Sequence, residues 1–199
     1  GAFSDAMPFL GTRQGHSSAA YNGFVYILGG YNGASWLNDV QGARVTAKPD
    51  TGWWTTNATT FASAREAHAS VAYNGYLYVL GGSVAGVSIN SVEYAKIGTD
   101  GSVGAFTSSP ENFPAERHSH KVVAHNGYLY LIGGTNAGSY YSTVRRAQLR
   151  GDGSINPDLG GVGVPWPTTI ALPAARAGHA AVVANGVIYV LGGGSGVAN

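Results

Sequence analysis

The stretch YNGFVYILGG, residues 21–30, decides the fold, because the chain writes it four times. It returns as YNGYLYVLGG at 73–82, HNGYLYLIGG at 125–134 and ANGVIYVLGG at 184–193. The step between copies is 52 residues, lengthening to 59 at the last, so one supersecondary unit is being reused along the chain. Within each copy Asn-Gly is the strongest short signal for a type I′ hairpin, since both turn residues take positive φ. The segments before it, SSAAYN, ASVAYN and KVVAHN, read as one strand, and FVYIL or YLYVL as the next. This second strand is apolar almost without alternation, as a strand is when both its faces are covered. The glycine pairs at 29–30, 81–82, 133–134 and 192–193 are expected to end it where the backbone needs room.

Outward from this centre the same order holds. Upstream lies Arg-x-x-His, as Arg13 and His16, Arg65 and His68, Arg117 and His120, and Arg176 and His179. Ten or eleven residues before each Arg sits an aromatic, Phe3, Trp54, Phe106 or Trp166. Downstream, after a polar loop, come Val40, Val92 and Val144, then Ala43, Ala95 and Ala147, an element that occurs only three times. The strand SVEYAKI around Val92 leads through GTDGS to a further strand, GAFTSS. Four strands per unit result, and no helical period is present.

Four-stranded units of this length, punctuated by Gly-Gly and aromatics, are the signature of a β-propeller blade. On the Arg, the His, the Tyr-containing strand, the Gly-Gly and the later aromatic, the chain resembles the kelch-repeat β-propeller family. The resemblance is to the kelch type of galactose oxidase-like central domains, in a non-enzymatic form. Phe3 and Phe106 stand where that family has Trp, and DLGGVGVPWP adds seven residues to the third unit. The resemblance implies an all-β fold, a kelch-type β-propeller of about four blades, one of them incomplete, each a four-stranded antiparallel sheet, over residues 1–199. The units run over 13–62, 65–110, 117–171 and 176–199, with 1–8 as an outer closing strand. The last unit lacks its third strand, and an open sheet edge of that kind invites pairing.

Composition narrows the function classes. Lys and Arg number 11 against 10 for Asp and Glu, a net charge of +1 with no basic stripe, which excludes an electrostatic footprint for nucleic acid or an anionic membrane. No stretch approaches the ~20 apolar residues that a membrane-spanning helix needs, so no membrane insertion is expected. The chain starts at Gly1 with no basic segment followed by an apolar run, so any export signal is expected to be removed or never present. Cysteine is absent, excluding disulfides, thiolate metal sites and cysteine nucleophiles from these residues. Only 11% of residues are charged, so the surface is built largely of Ser, Thr, Asn, Gly and Tyr, as in many exported proteins. The expected setting is extracellular or the cell surface, with the cytoplasm as the alternative.

Four Arg and four His invite a catalytic or metal-site reading. They recur in every unit, however, where the chain enters the sheet, and a residue demanded by every repeat is demanded by the repeat's geometry. Arg13, His16, Arg65, His68, Arg117, His120, Arg176 and His179 are therefore read as structural, bonding backbone groups between blades. His118 and His125 follow no pattern. The copper oxidases that resemble galactose oxidase need a Tyr–Cys crosslink, which a chain without Cys cannot make. Asp-box turns of sialidase-like propellers are not found, and Asp100 and Asp152 lie in Asp-Gly hairpin turns without a second acidic residue at calcium-binding spacing. The expectation is no enzyme, no cofactor and no metal.

What remains is recognition. Antiparallel alternation places the loops between second and third strands on one face of the disc, together with those between successive blades, and these loops vary. Tyr31, Asn32, Trp36, Asn136, Tyr140 and Tyr141 are the candidate binding residues, large aromatics able to stack on a sugar or anchor a protein. Packing against neighbouring blades is the equal alternative for those aromatics. Asn57, in the triplet NAT, is a candidate glycosylation site. Two functions stay open: a non-enzymatic binding or assembly module, with a protein partner or self-assembly through the incomplete terminal blade, and a carbohydrate-binding propeller. An enzyme of the kelch-propeller type is a distant third.

Overall fold

A computed structural model describes residues 8–45 and 54–196. Every element among them is an antiparallel strand, in four successive blades. The first blade is a sheet of β1 (Ser17–Tyr21), β2 (Phe24–Tyr31), β3 (Trp36–Arg44) and β4 (Thr55–Thr56), in that order. The second repeats it with β5 (Ala69–Tyr73), β6 (Tyr76–Val84), β7 (Val87–Lys96) and β8 (Thr107–Ser108). In the third, β9 (Lys121–His125) pairs β10 (Tyr128–Ile132), which also pairs β13 (Val144–Gln148), while β11 (Thr135–Asn136) and β12 (Ser139–Tyr140) form a small hairpin of their own. The fourth is the hairpin β14 (Ala180–Ala184) and β15 (Val187–Leu191). The first strands lie side by side, β1 against β5, β5 against β9 and β9 against β14. This all-β stack is the architecture of kelch-type propeller blades.

Each blade begins with the two-residue Asn-Gly hairpin; Tyr21 pairs Phe24, and Asn22 and Gly23 have φ of 46° and 80°, values nearly identical in the other three copies. The reason for the apolar second strand is visible in β6. Its Tyr78 and Leu80 enter a core with Val122, Leu129, Leu131 and Ala147 of the third blade. The intervening Leu77 and Val79 enter another core with Tyr26, Leu28 and Val40 of the first. Alternate residues of one strand thus serve two boundaries, and both must be apolar.

Three expectations change. The glycine pair does not end the second strand in the first two blades. β2 continues to Tyr31 and β6 to Val84, with a register shift between Leu28 and Gly30 and between Leu80 and Gly82, so the pair makes a β-bulge. The fourth strand of the third blade shrinks to a single bridge between Arg145 and Thr168, because Pro165 and Pro167 flank Trp166 and carry no N–H for a ladder. The closing strand expected at 1–8 lies, but for Pro8, outside the described residues.

Candidate functional site

The Arg column is built the same way in each blade. Arg13, Arg65, Arg117 and Arg176 each donate from Nη1 to the carbonyl of the first glycine of their own pair, Gly29, Gly81, Gly133 and Gly192, at 2.9, 3.1, 2.9 and 2.8 Å. In the first three, the guanidinium lies 5.9, 5.5 and 5.9 Å from the ring of Phe9, Phe61 or Phe113. The charge is then balanced differently. Arg13 forms a two-pronged pair with Asp39, at 2.7 and 2.9 Å, and this pairing holds the carboxyl below its ordinary range against the opposing effect of burial. Arg65 is paired with the buried Glu93, whose other oxygen accepts the Ala62 N–H at 2.6 Å.

Arg117 is fully buried, yet among the described residues no carboxylate reaches it. Where Glu93 follows Val92, Arg145 follows Val144. Burial and the like charge of Arg145 bring the Arg117 guanidinium down to about 10. Thr143 and the carbonyls of Pro114, Ala115 and Gly133 accept its protons, and the Tyr141 ring lies 4.2 Å away. A desolvated cation over a ring of that kind gains roughly 2 kcal/mol, part of what an ion pair would provide.

The His column faces the preceding blade. Each ring of His16, His68 and His120 sits 5.6 to 5.8 Å from Phe9, Phe61 or Phe113 of its own blade. A Cβ added at Gly81 would lie 2.8 Å from His120 Cε1 and Phe113 Cζ, and one at Gly133 2.9 Å from His179 Cε1, so the glycine is the seat that receives the next blade. Burial, then neighbouring Arg and Lys charges, pushes His68 down to about 3 and His120 well below the ordinary range. Burial, then Lys121 and Arg176, pushes His179 to about 4. All three rings are neutral at physiological pH.

A ladder of backbone bonds runs through the same place. Gly30, Gly82 and Gly134 donate their N–H to the Arg carbonyls of the following blade, Arg65, Arg117 and Arg176, at 2.9, 3.0 and 2.8 Å. The residue before each His, in left-handed conformation, donates backwards: Ala67 to Gly15, Ser119 to Ala67 and Gly178 to Ser119, at 2.7, 2.8 and 2.8 Å. The backbone at the Arg and His positions thus joins blade to blade, but the Arg side chains bond carbonyls of their own blade and not, as expected, across the boundary, and the His rings meet the preceding blade by packing. His118 shares in this backbone pattern, bridging Thr135 as Gln14 bridges Tyr31 and Glu66 bridges Ser83.

In the first-blade loop, Trp36 Nε1 donates to Glu66 of the next blade at 3.1 Å. There Tyr31 and Trp36 lie 5.1 Å apart, ring to ring, and Trp36 is 37% exposed. Asn32 turns inward; its Oδ1 accepts the N–H of Ala34 and of Ser35, shaping the hairpin. Tyr31 and Asn32 with Thr12, Arg13, Gln14 and Gly33 line a shallow cleft of about 330 Å³. In the third blade Asn136 pairs Ser139 in the small hairpin, Tyr140 packs beside Gly196, and Tyr141 covers Arg117. The structure therefore brings Tyr31 and Asn32 to one cleft, with the Trp36 ring against Tyr31, and gives Tyr141 an internal task.

Asn57 sits between the first two blades. Its Nδ2 donates to the Val40 carbonyl at 3.3 Å and its Oδ1 accepts the Val103 N–H at 3.0 Å, while Thr59 Oγ1 donates to the Val103 carbonyl at 2.7 Å. A sugar on Asn57 has to break this clamp, which argues against modification there. A second cavity, about 220 Å³, faces the inner strands and is lined by His16, Ser17, His68, Ser70 and Lys121 among others. Among the described residues no group of three His, Asp or Glu is placed to hold a metal ion.

Sequence reading missed Phe9, Phe61 and Phe113, although each lies four residues before its Arg, a column as regular as the Arg itself. Asp39 and Glu93 were less accessible, because the first precedes its Val and the second follows it.

The Kelch motif family model matches residues 64–94 and 116–146. The kelch motif thus matches two of the four repeats. Both matches run from just before the Arg to the third strand, over the columns described above, and they support a kelch-repeat family. No curated protein matches the chain significantly. Kelch repeats suggest a protein-interaction module.

Proposed function

We propose that the chain is a non-enzymatic protein-binding module of the galactose oxidase-like kelch type, with its contact site on the first-blade loop Tyr31–Trp36. The observation that carries this reading is the Tyr31–Trp36 ring pair, with Tyr31 lining an open cleft and Trp36 accessible and held by Glu66. A rigid aromatic on a constant scaffold is the kind of residue on which binding energy concentrates. The Arg guanidinium groups are bonded within their own blades and the His rings are packed against the preceding blade, which supports binding over catalysis. Few charges and an abundance of Ser, Thr, Gly and Tyr support an extracellular or cell-surface setting.

The same ring pair favours a glycan as the second reading, since sugars stack on such faces. A photo-crosslinking side chain at position 33, introduced in the native source, tests the two. A discrete protein adduct that disappears with Trp36→Ala is expected. A glycan array with clear hits that Trp36→Ala abolishes, alongside no protein adduct, overturns the protein reading.

A further inference from the structure

The strands that open the four blades differ at the two positions after each His. The first of these positions holds Ser17, Ala69, Lys121 and Ala180, and the second holds Ser18, Ser70, Val122 and Ala181. At the first position, then, three blades have a small residue and one has a long cation. Because β1, β5, β9 and β14 lie side by side, residues from all four blades line the cavity of about 220 Å³ on the inner strands. The small residues leave room there, and Lys121 brings a charge into it.

The cavity carries one sign of charge. Among the described residues that line it are Lys121 and no Asp or Glu. Lys121 is partly buried, and its ammonium has no carboxylate or carbonyl partner among the described residues. A cation withdrawn from water without a counter-charge is costly. Burial first, and nearby cations including Lys121 second, hold His68, His120 and His179 neutral at physiological pH. Burial and then Arg13 act on His16 in the same direction. Lys121 is therefore the one full charge on the wall.

Hydroxyl groups stand around that charge. Ser17 Oγ lies 2.7 Å from Nε2 of His68, a ring only 3% exposed, so one side of the cavity is fixed by a buried side chain. Ser70 Oγ is buried and has no hydrogen-bond partner among the described residues, which leaves its desolvation uncompensated within the chain. Ser18, exposed, lines the same space. An ammonium beside hydroxyl donors is the set that an oxyanion takes.

We propose that this cavity binds a small oxyanion, the carboxylate or phosphate group of a small acid, with Lys121 as its counter-charge and the Ser18 and Ser70 hydroxyls as donors. Its volume of about 220 Å³ lies below the roughly 300–1,000 Å³ of sites for drug-sized ligands, so the acid is small. The site shares no lining residue with the cleft at Tyr31, and neither reading depends on the other.

The test is a titration of the whole chain with sodium phosphate and, separately, sodium acetate, at an ionic strength held constant with chloride. Saturable backbone-amide shifts centred on Ser17, Ser70 and Lys121 are expected with at least one of the two salts. Lys121→Met keeps the stem, removes the charge, and is expected to weaken this binding about tenfold or more, the weight of a hydrogen bond to a charged group. Lys121→Arg restores most of it, and Ser70→Ala weakens it about fivefold. Lys96→Met, at an exposed lysine elsewhere, and Trp36→Ala leave it unchanged, which separates the site from general charge and from the loop. Shifts that stay linear with both salts, that centre on the Tyr31 loop, or that persist undiminished in Lys121→Met overturn the proposal. If Lys121→Met loses its β-sheet spectrum, an unchanged affinity in Ser70→Ala overturns it instead.

Discussion

The second and fourth blades carry the same hairpin in the same order, and only one of them is buried. Tyr78 is 1% exposed and Leu80 0%, against 47% for Tyr189 and 55% for Leu191. The Gly81 seat is filled by Phe113 and His120, and the one at Gly192 is open. The difference lies in the neighbour and not in the strands, whose registers agree: Ala69 pairs Leu80 as Ala180 pairs Leu191. Each repeat therefore encodes half of a boundary, and its stability comes mostly from the blade that completes it.

Breaking the Arg column in the two blades should separate them most. Arg65→Ala leaves Glu93 buried without its partner, and removing one member of a buried pair costs about 3–5 kcal/mol. Arg176 is half-exposed, with the Gly192 carbonyl as its one short bond at 2.8 Å, and Arg176→Ala should cost under about 1 kcal/mol. Denaturant unfolding of both variants checks this. Equal losses would show that the column acts within a blade, without regard to its neighbour.

The glycine seats give the next largest contrast. Gly81 has φ +56°, and an added Cβ would fall 2.8 Å from His120 and Phe113 and 2.9 Å from the Arg117 carbonyl, part of it unyielding backbone. Left-handed strain and overpacking together put Gly81→Ala at about 2–4 kcal/mol. Gly192 has φ +68° and open space, so Gly192→Ala keeps only the backbone term, about 1 kcal/mol. A Gly192→Ala loss as large as that of Gly81→Ala in dilute solution would mean that the seat is occupied in the single chain.

Which parts of this were legible in the sequence follows from what each residue type has to satisfy. The hairpins were, because Asn-Gly answers to a local backbone rule and nothing distant changes it. The Arg column was visible, because every blade uses the same side-chain bond to its own first glycine at the same offset, but that this bond lies within a blade and not between blades was not. The counter-charge was not. Asp39, Glu93 and, in the third blade, no carboxylate at all solve one electrostatic problem from different positions, so there is no column to see. Nor could the glycine pair be recognised as a bulge, since ending a strand and kinking it both call for the same residue. The loop aromatics divided for a similar reason: Trp36 and Tyr141 look alike in sequence, but Tyr141 lies against an Arg117 that lacks a carboxylate.

The finest comparison is a single oxygen. Tyr78 Oη donates to the carbonyl of Gly153 in the third blade at 3.0 Å, as Tyr26 Oη does to Gly101 in the second, each 75 residues along. Burial raises both phenols above their ordinary range, so the bond is made by a neutral hydroxyl at any physiological pH. Tyr78→Phe keeps the ring, which stacks 6.0 Å from Tyr94, and removes only this donor. The expected loss is about 1 kcal/mol, the usual net value of one such bond. Tyr189 is the same residue with no following turn to donate to among the described residues, and Tyr189→Phe should change unfolding in dilute solution by about 0 kcal/mol. The hydroxyl contributes to stability only where a neighbouring blade supplies the carbonyl, so a measurable loss at Tyr189 would place an acceptor there, while no loss at Tyr78 would remove this bond from the forces that hold the boundary.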